Sequence, residues 1–161
     1  MTADEPQRQL AAALGRIPSG LFVLTLQRER IETGMLVSWV QQCSFSPPQI
    51  SIALQRDRDI ARLLTPGTAF TLNVLDDTQT DMIVHFGRGF GLTEPAFTGL
   101  DLLRGESNGP VLAEALAYLT CEVSGRCNGG DHDVFIARVV AGRILGDGHP
   151  MVHVRKSGAH Y

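Results

Sequence analysis

No apolar run in this chain approaches the about 20 residues that a membrane-spanning helix needs, so nothing is expected to cross a bilayer. The N-terminal stretch carries Asp4, Glu5 and Arg8 and lacks the apolar core of a secretory leader. Basic residues are not in excess. Fourteen Lys plus Arg stand against 17 Asp plus Glu, a net charge of −3, which argues against a nucleic-acid partner. Cysteine is scarce: Cys43, Cys121 and Cys127 form an odd set without a C-x-x-C pair. A disulfide framework is therefore not expected, and a reducing cytoplasm fits. Charged residues reach only 19%, below the usual roughly one quarter. Part of the surface is expected to be covered by a partner or a ligand.

What is present is one domain, 1–161, with 43% hydrophobic residues, enough for a packed core. Seventeen glycines and eight prolines imply many turns. Residues 8–14 read as a short helix stopped by Gly15 and Pro18. Strands are expected over 21–26, 33–40 and 50–54, the chain breaking at Ser46-Pro47-Pro48. Residues 57–64, opened by an aspartate cap, read as a helix. Phe70, Leu72 and Val74 line one face of a strand, and 77–86 reads as a helix with Met82, Ile83 and Phe86 inward. From Gly87 to Pro110 the chain is glycine-rich and irregular, a length of loop that is often functional. Strands follow over 116–124, 133–145 and about 150–154. Cys121 falls in the alternation Ala117, Leu119, Cys121, Val123 and reads as a buried strand residue. Most connections are too short for helical crossovers, so the pattern predicts a mainly β chain closing into an antiparallel barrel.

Four segments carry candidate chemistry. In Gly34 to Pro48, polar Ser38, Gln41, Gln42 and Ser44 interrupt an apolar strand, and Pro47 and Pro48 lack the N–H that would continue pairing. Freed backbone groups there face a ligand, or the segment is an ordinary polar-faced edge strand. Arg56-Asp57-Arg58-Asp59 opens a helix after a strand, a phosphate-attracting arrangement, or else a capped surface helix with solvated arginines. Gly129-Gly130-Asp131-His132 lets the backbone approach a ligand beside His132, or is a plain hairpin turn. The tail Val152 to Tyr161 gathers aromatic and cationic groups able to fold over a planar anion, or frays. Gly87-Arg88-Gly89-Phe90-Gly91 lacks the spacing and strand-to-helix context of a dinucleotide loop. His149 and His153, four apart, flank Pro150 and an alternating strand and would share a face only by accident of the pleat, so a metal pair is not the expected reading, and no G-x-S-x-G, P-loop or zinc-ligand pair occurs.

Taken in order, these segments resemble the flavin-reductase module of the FMN-binding split-barrel group, above all the C-terminal module of diflavin flavodiiron proteins. The resemblance runs from about Leu10 to Tyr161. It is carried by Leu14-Gly15-Arg16-Ile17, Ser19-Gly20-Leu21, Gly34-Met35-Leu36-Val37-Ser38-Trp39-Val40, Ser44-Phe45-x-Pro47-Pro48 and Asp57-Arg58-x-Ile60. It continues through Phe70-x-Leu72-Asn73-Val74-Leu75, His85-Phe86, Asn108-Gly109-x-Val111-Leu112, Gly130-Asp131-His132 and His153-x-Arg155-Lys156-x-Gly158-x-His160-Tyr161.

This resemblance implies a six-stranded antiparallel Greek-key split barrel with short flanking helices, dimerised around FMN. It implies that Leu36, Val37, Ser38, Trp39, Val40, Gln41, Gln42, Cys43 and Ser44 meet the isoalloxazine, and that Arg56, Asp57, Arg58 and Asp59 hold the phosphate. Arg88 and Phe90 join the flavin contacts, in a loop that departs from the usual family pattern after His-Phe. Gln41 stands where serine is common, and Asp133 where an aromatic residue is common. His132, in the catalytic role, and Arg155, His160 and Tyr161 lie on the face where nicotinamide docks. The tail is expected to gate the nicotinamide, or alternatively to clasp the other subunit. The implied activity is an NAD(P)H:flavin oxidoreductase using FMN and NADH or NADPH, passing electrons to a di-iron/flavodoxin-like module. The alternatives are a non-catalytic electron relay and a stand-alone reductase serving a monooxygenase. Hydride transfer between cofactors needs no side-chain nucleophile and no metal, only stacking geometry and hydrogen bonds that tune the ring.

Overall fold

The computed structural model describes residues 4–160. Helix α1 (Glu5–Gly15) precedes β1 (Ser19–Gly20), β2 (Phe22–Arg28), β3 (Ile31–Val37), β4 (Val40–Phe45) and β5 (Pro48–Gln55). Then come α2 (Asp59–Leu63), β6 (Ala69–Val74), α3 (Thr80–Gly87), β7 (Leu102–Leu103) and β8 (Val111–Leu112). The long strands β9 (Ala117–Asn128) and β10 (His132–Ile144) lead to β11 (Val152–His153).

Seven strands form one antiparallel sheet in the order β3-β2-β6-β9-β10-β5-β4, while β1 pairs with β11 and β7 with β8. β3 and β4 are the two edges of this sheet, yet only Ser38 and Trp39 separate them in the chain. Three Cα steps reach at most about 11 Å, so the sheet has to curl until its edges lie side by side. The product is a barrel split at the β3/β4 seam. β5 and β6, consecutive in the chain, are parted in the sheet by β10 and β9, which is Greek-key order.

Seven strands stand where six were expected. The run Thr33–Val40 reads as one strand because no proline or turn cluster breaks it, but the backbone changes partner within it. Val37 pairs with Phe22 of β2, whereas the Trp39 carbonyl accepts from the Ala53 N–H of β5 at 3.0 Å. The prolines also act differently from the expectation. They do not end pairing: Pro48 sits opposite Phe45, and Ser46-Pro47 turns β4 into β5.

Alternation sorts the apolar residues into two clusters. Leu24, Leu26, Ile52, Phe70, Leu72 and Phe135 point into the barrel with Cys121, and α2 closes one end with Ile60, Ala61 and Leu64. Burial pushes the Cys121 thiol up to about 12, in keeping with a structural strand residue. The second cluster, with Val23, Leu75, Met82, Phe86 and Phe97, lies outside the sheet under α3 and the long loop. That loop is not slack. Thr25 Oγ1 donates to the Pro110 carbonyl at 2.7 Å, Leu112 N donates to Asn73 Oδ1 at 2.9 Å, and Ser107 joins Thr71 and Thr120. Among the described residues no helix is long and apolar enough to cross a membrane.

Candidate functional site: two adjoining clefts at the barrel seam

A cleft of about 300 Å³ opens where the seam, the end of β5 and helix α3 meet. Its walls are largely apolar: Met35, Leu36 and Val37 from β3, Ala53 and Leu54 from β5, and Ile83 from α3. Its polar groups are Ser38, Gln55, Arg58, His132 and His153. A second, polar cleft of about 490 Å³ adjoins it, bounded by Asp57, Arg58, Asp59, Arg88, Gly89 and Phe90. Gln55 and Arg58 line both, so the two clefts lie side by side.

Local sequence explains how these side chains arrive. Gly89 has φ +77, a left-handed conformation that side chains rarely adopt, and a Cβ there would stand 3.2 Å from Arg58 Nη1. This glycine therefore lets the 88–91 loop close against Arg58. The Arg88 guanidinium rests over the Phe90 ring at 4.0 Å and lies 3.7 Å from Glu94. Gly130, at φ +102, makes the β9–β10 turn possible, with Gly129 N donating to the His132 carbonyl at 2.9 Å. The turn delivers His132 to the cleft wall, almost buried. Its Nδ1 is 2.8 Å from Asp131 Oδ1, and that contact holds the Asp131 carboxyl below its ordinary range. Trp39 lies against it, ring centroids 4.7 Å apart at 40°.

The expected site residues separate into groups. Leu36, Val37, Ser38, Arg58 and His132 are brought together at the apolar cleft, and Asp57, Asp59, Arg88 and Phe90 at the polar one. Trp39 backs His132, and the Arg155 guanidinium sits 4.9 Å from the Trp39 ring centre. Val40 packs on the barrel core, and Gln41, Gln42 and Cys43 are exposed along β4, with Ser44 half-buried beyond a bulge. None of these five lines either cleft. His160 is exposed in the tail, and Tyr161 lies outside the described residues.

Arg56 turns elsewhere. Its Nε donates to Asp133 Oδ1 at 3.0 Å and its Nη2 to Asn128 Oδ1, while Arg126 grips the other Asp133 oxygen. Asp133, where an aromatic residue is common in the family pattern, is thus a buried anion between two arginines. Arg126 foremost, then Arg56, holds its carboxyl below the ordinary range against the opposing effect of burial. Residues outside the expected set also line the apolar cleft, notably Met35, Ala53, Gln55, Ile83 and His153. Ile83 was signalled by the apolar face of its helix; Ala53 and Gln55 were not, because a strand's outward residues carry no mark of what faces them. Among the described residues, no three of His, Cys, Asp or Glu gather to hold a metal ion.

An apolar slot with a polar rim suits a flat heteroaromatic ring, and an adjoining cleft with two guanidiniums suits an anionic tail. Comparison with known proteins points the same way. The flavin reductase like domain matches residues 14–159. The chain belongs to that family. A Nostoc sp. sequence assigned as diflavin flavoprotein A 6 is 40% identical over 99% of this chain, which covers 28% of that protein. Diflavin flavoprotein A 1 of Synechocystis sp. is 37% identical over 94% of the chain and 27% of its own length. The chain thus spans little more than a quarter of the curated relatives it matches. Among solved structures, the NADH:FAD oxidoreductase SgcE6 of Streptomyces globisporus superposes with a TM-score of 0.83 at 26% identity, over 96% of this chain and 92% of that one.

Proposed function

We propose that this flavin reductase-like module binds FMN across the two adjoining clefts and reduces it with a nicotinamide donor. The observation that carries the reading is that the apolar slot and the Arg58/Arg88 cleft lie side by side, with Gln55 and Arg58 as shared walls. The residues fit the cofactor: Leu36, Val37, Ala53 and Ile83 offer an apolar bed, Ser38 and Gln55 polar groups at the rim, and Arg58 and Arg88 charge for the phosphate. Bound flavin supplies the hydride acceptor. The chain's own part is to bind and orient: His132, backed by Trp39, forms the wall beside which the donor ring is placed, and the apolar bed excludes water. Solved SgcE6 in complex with NAD and FAD fragments, 26% identical at a TM-score of 0.82, supports pairing both nucleotides with this barrel.

The likeness to diflavin relatives supports onward transfer of electrons to a di-iron/flavodoxin-like module, in one polypeptide or a complex, and the odd set of three cysteines fits a reducing cytoplasm. A second reading has its own support, since the chain covers 92% of the solved SgcE6 chain, a module of its own size. In that reading the protein supplies reduced flavin to a separate oxygenase. We also propose a homodimer with the β4 residues Gln41 to Ser44 reaching flavin at the subunit groove. Phe45, 91% exposed, and Ile144, 78% exposed, are apolar surface for such a contact. Light scattering at micromolar concentration tests it, a monomer mass counting against it.

The deciding experiment has two steps. FMN added to apoprotein should lose fluorescence with a midpoint below tens of micromolar, a weak-site concentration. Anaerobic mixing of the complex with NADH or NADPH should then bleach the bound flavin. Binding without bleaching by either donor would reduce the protein to a relay.

A further inference from the structure

Helix α1 stands apart from the barrel, and the tail beyond β11 runs back against it. Two glycines make that approach possible. A Cβ on Gly15 would lie 2.7 Å from the Arg155 carbonyl oxygen and 3.0 Å from Ser157 N, and a Cβ on Gly158 would overlap Leu14 Cβ. Gly158 N donates to the Ala11 carbonyl at 2.6 Å. A glycine at a helix end ordinarily serves a left-handed stop. Gly15 does not: its φ is not positive, and Arg16 after it is still right-handed at φ −78, ψ −11. It is the one buried residue of a helix otherwise exposed except at half-buried Glu5 and Ala11. What this position uses is the missing side chain.

From that contact the tail reaches the cleft in two steps. Arg155, whose carbonyl abuts Gly15, holds its guanidinium over Trp39, and Trp39 leans on His132 at the cleft wall. We propose that Gly15 and Gly158 are positioning residues: by seating the tail on α1 they fix Arg155 over Trp39 and Trp39 against His132, and so set how the nicotinamide donor meets the cleft. The donor half of this inference rests on the function proposed above; the contact itself does not. It also gives the tail a specific anchor, the chain's own first helix.

Trp39 is the chain's one tryptophan, so its emission in the apoprotein reports the arrangement directly. Gly15→Ala and Gly158→Ala act from opposite ends of the sequence on the same contact. Alanine is the better helix former, so Gly15→Ala should keep α1 intact while pushing the tail away. Both variants should shift Trp39 emission to longer wavelength and increase its quenching by acrylamide. The donor KM should rise about three- to thirtyfold, with FMN affinity within about twofold of the parent. The double variant should be no worse than either single one, because one contact is lost only once. Arg155→Gln, which leaves the glycines in place, should raise the donor KM likewise and covers the case of a glycine variant that fails to fold. Unchanged Trp39 emission in both glycine variants overturns the contact. Changed emission with an unchanged donor KM overturns its role. If the parent protein binds no FMN, the functional reading fails, and the apoprotein emission still decides the contact.

Discussion

Arg56 Nε stands 3.0 Å from Asp133 Oδ1, so the first arginine after β5 is turned into the end of the barrel and away from the polar cleft. With Arg126 on the other oxygen, the pair ties β5, β9 and β10 together where the hairpin that carries His132 begins.

This arrangement predicts a pH-dependent stability. The Asp133 carboxyl is held below its ordinary value of about 3.9, so its contribution is fully present above that value. It is lost as pH falls through the lower, folded value. Asp133→Asn should therefore lower Tm at pH 5–8, taken as a window well above about 3.9, and the gap to the parent should close as acid is added below that value. A gap independent of pH would mean that the carboxylate charge is not what stabilises the site. Arg56→Gln should lower Tm too, while leaving FMN affinity unchanged.

Arg58 and Arg88 should behave in the opposite way. Both face the polar cleft, and a charge-assisted bond from an exposed arginine to phosphate is worth about 1–2 kcal/mol. Each change to glutamine should weaken FMN binding roughly five- to thirtyfold. Riboflavin, which has no phosphate, should bind the variants as it binds the parent. Equal losses for both flavins would place the phosphate elsewhere.

Asn73 is the polar pin between the sheet and the long loop. Its side-chain amide donates to the Val23 carbonyl at 3.1 Å, and its oxygen accepts from Leu112 N at 2.9 Å, all fully buried. Asn73→Ala leaves the Leu112 N–H unpaired and takes one bond from the Val23 carbonyl, and should cost about 2–4 kcal/mol in urea unfolding. A loss under about 1 kcal/mol would show that water replaces the amide at little cost.

The barrel was readable from the chain because Ile50, Ile52 and Leu54 alternate and the turns between strands are short. The seam was not. Ser38 interrupts the run from Thr33 to Val40, but a polar residue within a strand does not say that the pairing partner changes there. The site divided in the same manner. Leu36, Val37 and Ser38 were found because a polar residue interrupts a core strand, and His132 because two glycines precede it. Arg56 and Arg58 could not be told apart locally, since Asn128 and Asp133, which capture the former, come more than seventy residues later. Arg155 over Trp39 is likewise a pairing between distant segments, without a local signal.

His132 offers the sharpest division between structure and reaction. Its ring is nearly buried, forms part of the cleft wall, supports Trp39 and is steadied at Nδ1 by Asp131, so it is fixed in place before any ligand arrives. A group held that way contributes by orientation, and losing it should cost about ten- to a hundredfold in the rate of flavin bleaching by the donor. His132→Gln keeps a polar side chain of similar reach and should leave FMN affinity and oligomeric mass as they are. Asp131→Ala should act more mildly in the same direction, because the backbone hairpin still carries the ring to the cleft. Stopped-flow bleaching measured beside FMN titration separates the two roles. A bleaching rate that falls only in proportion to lost FMN binding would make His132 a wall residue and nothing more.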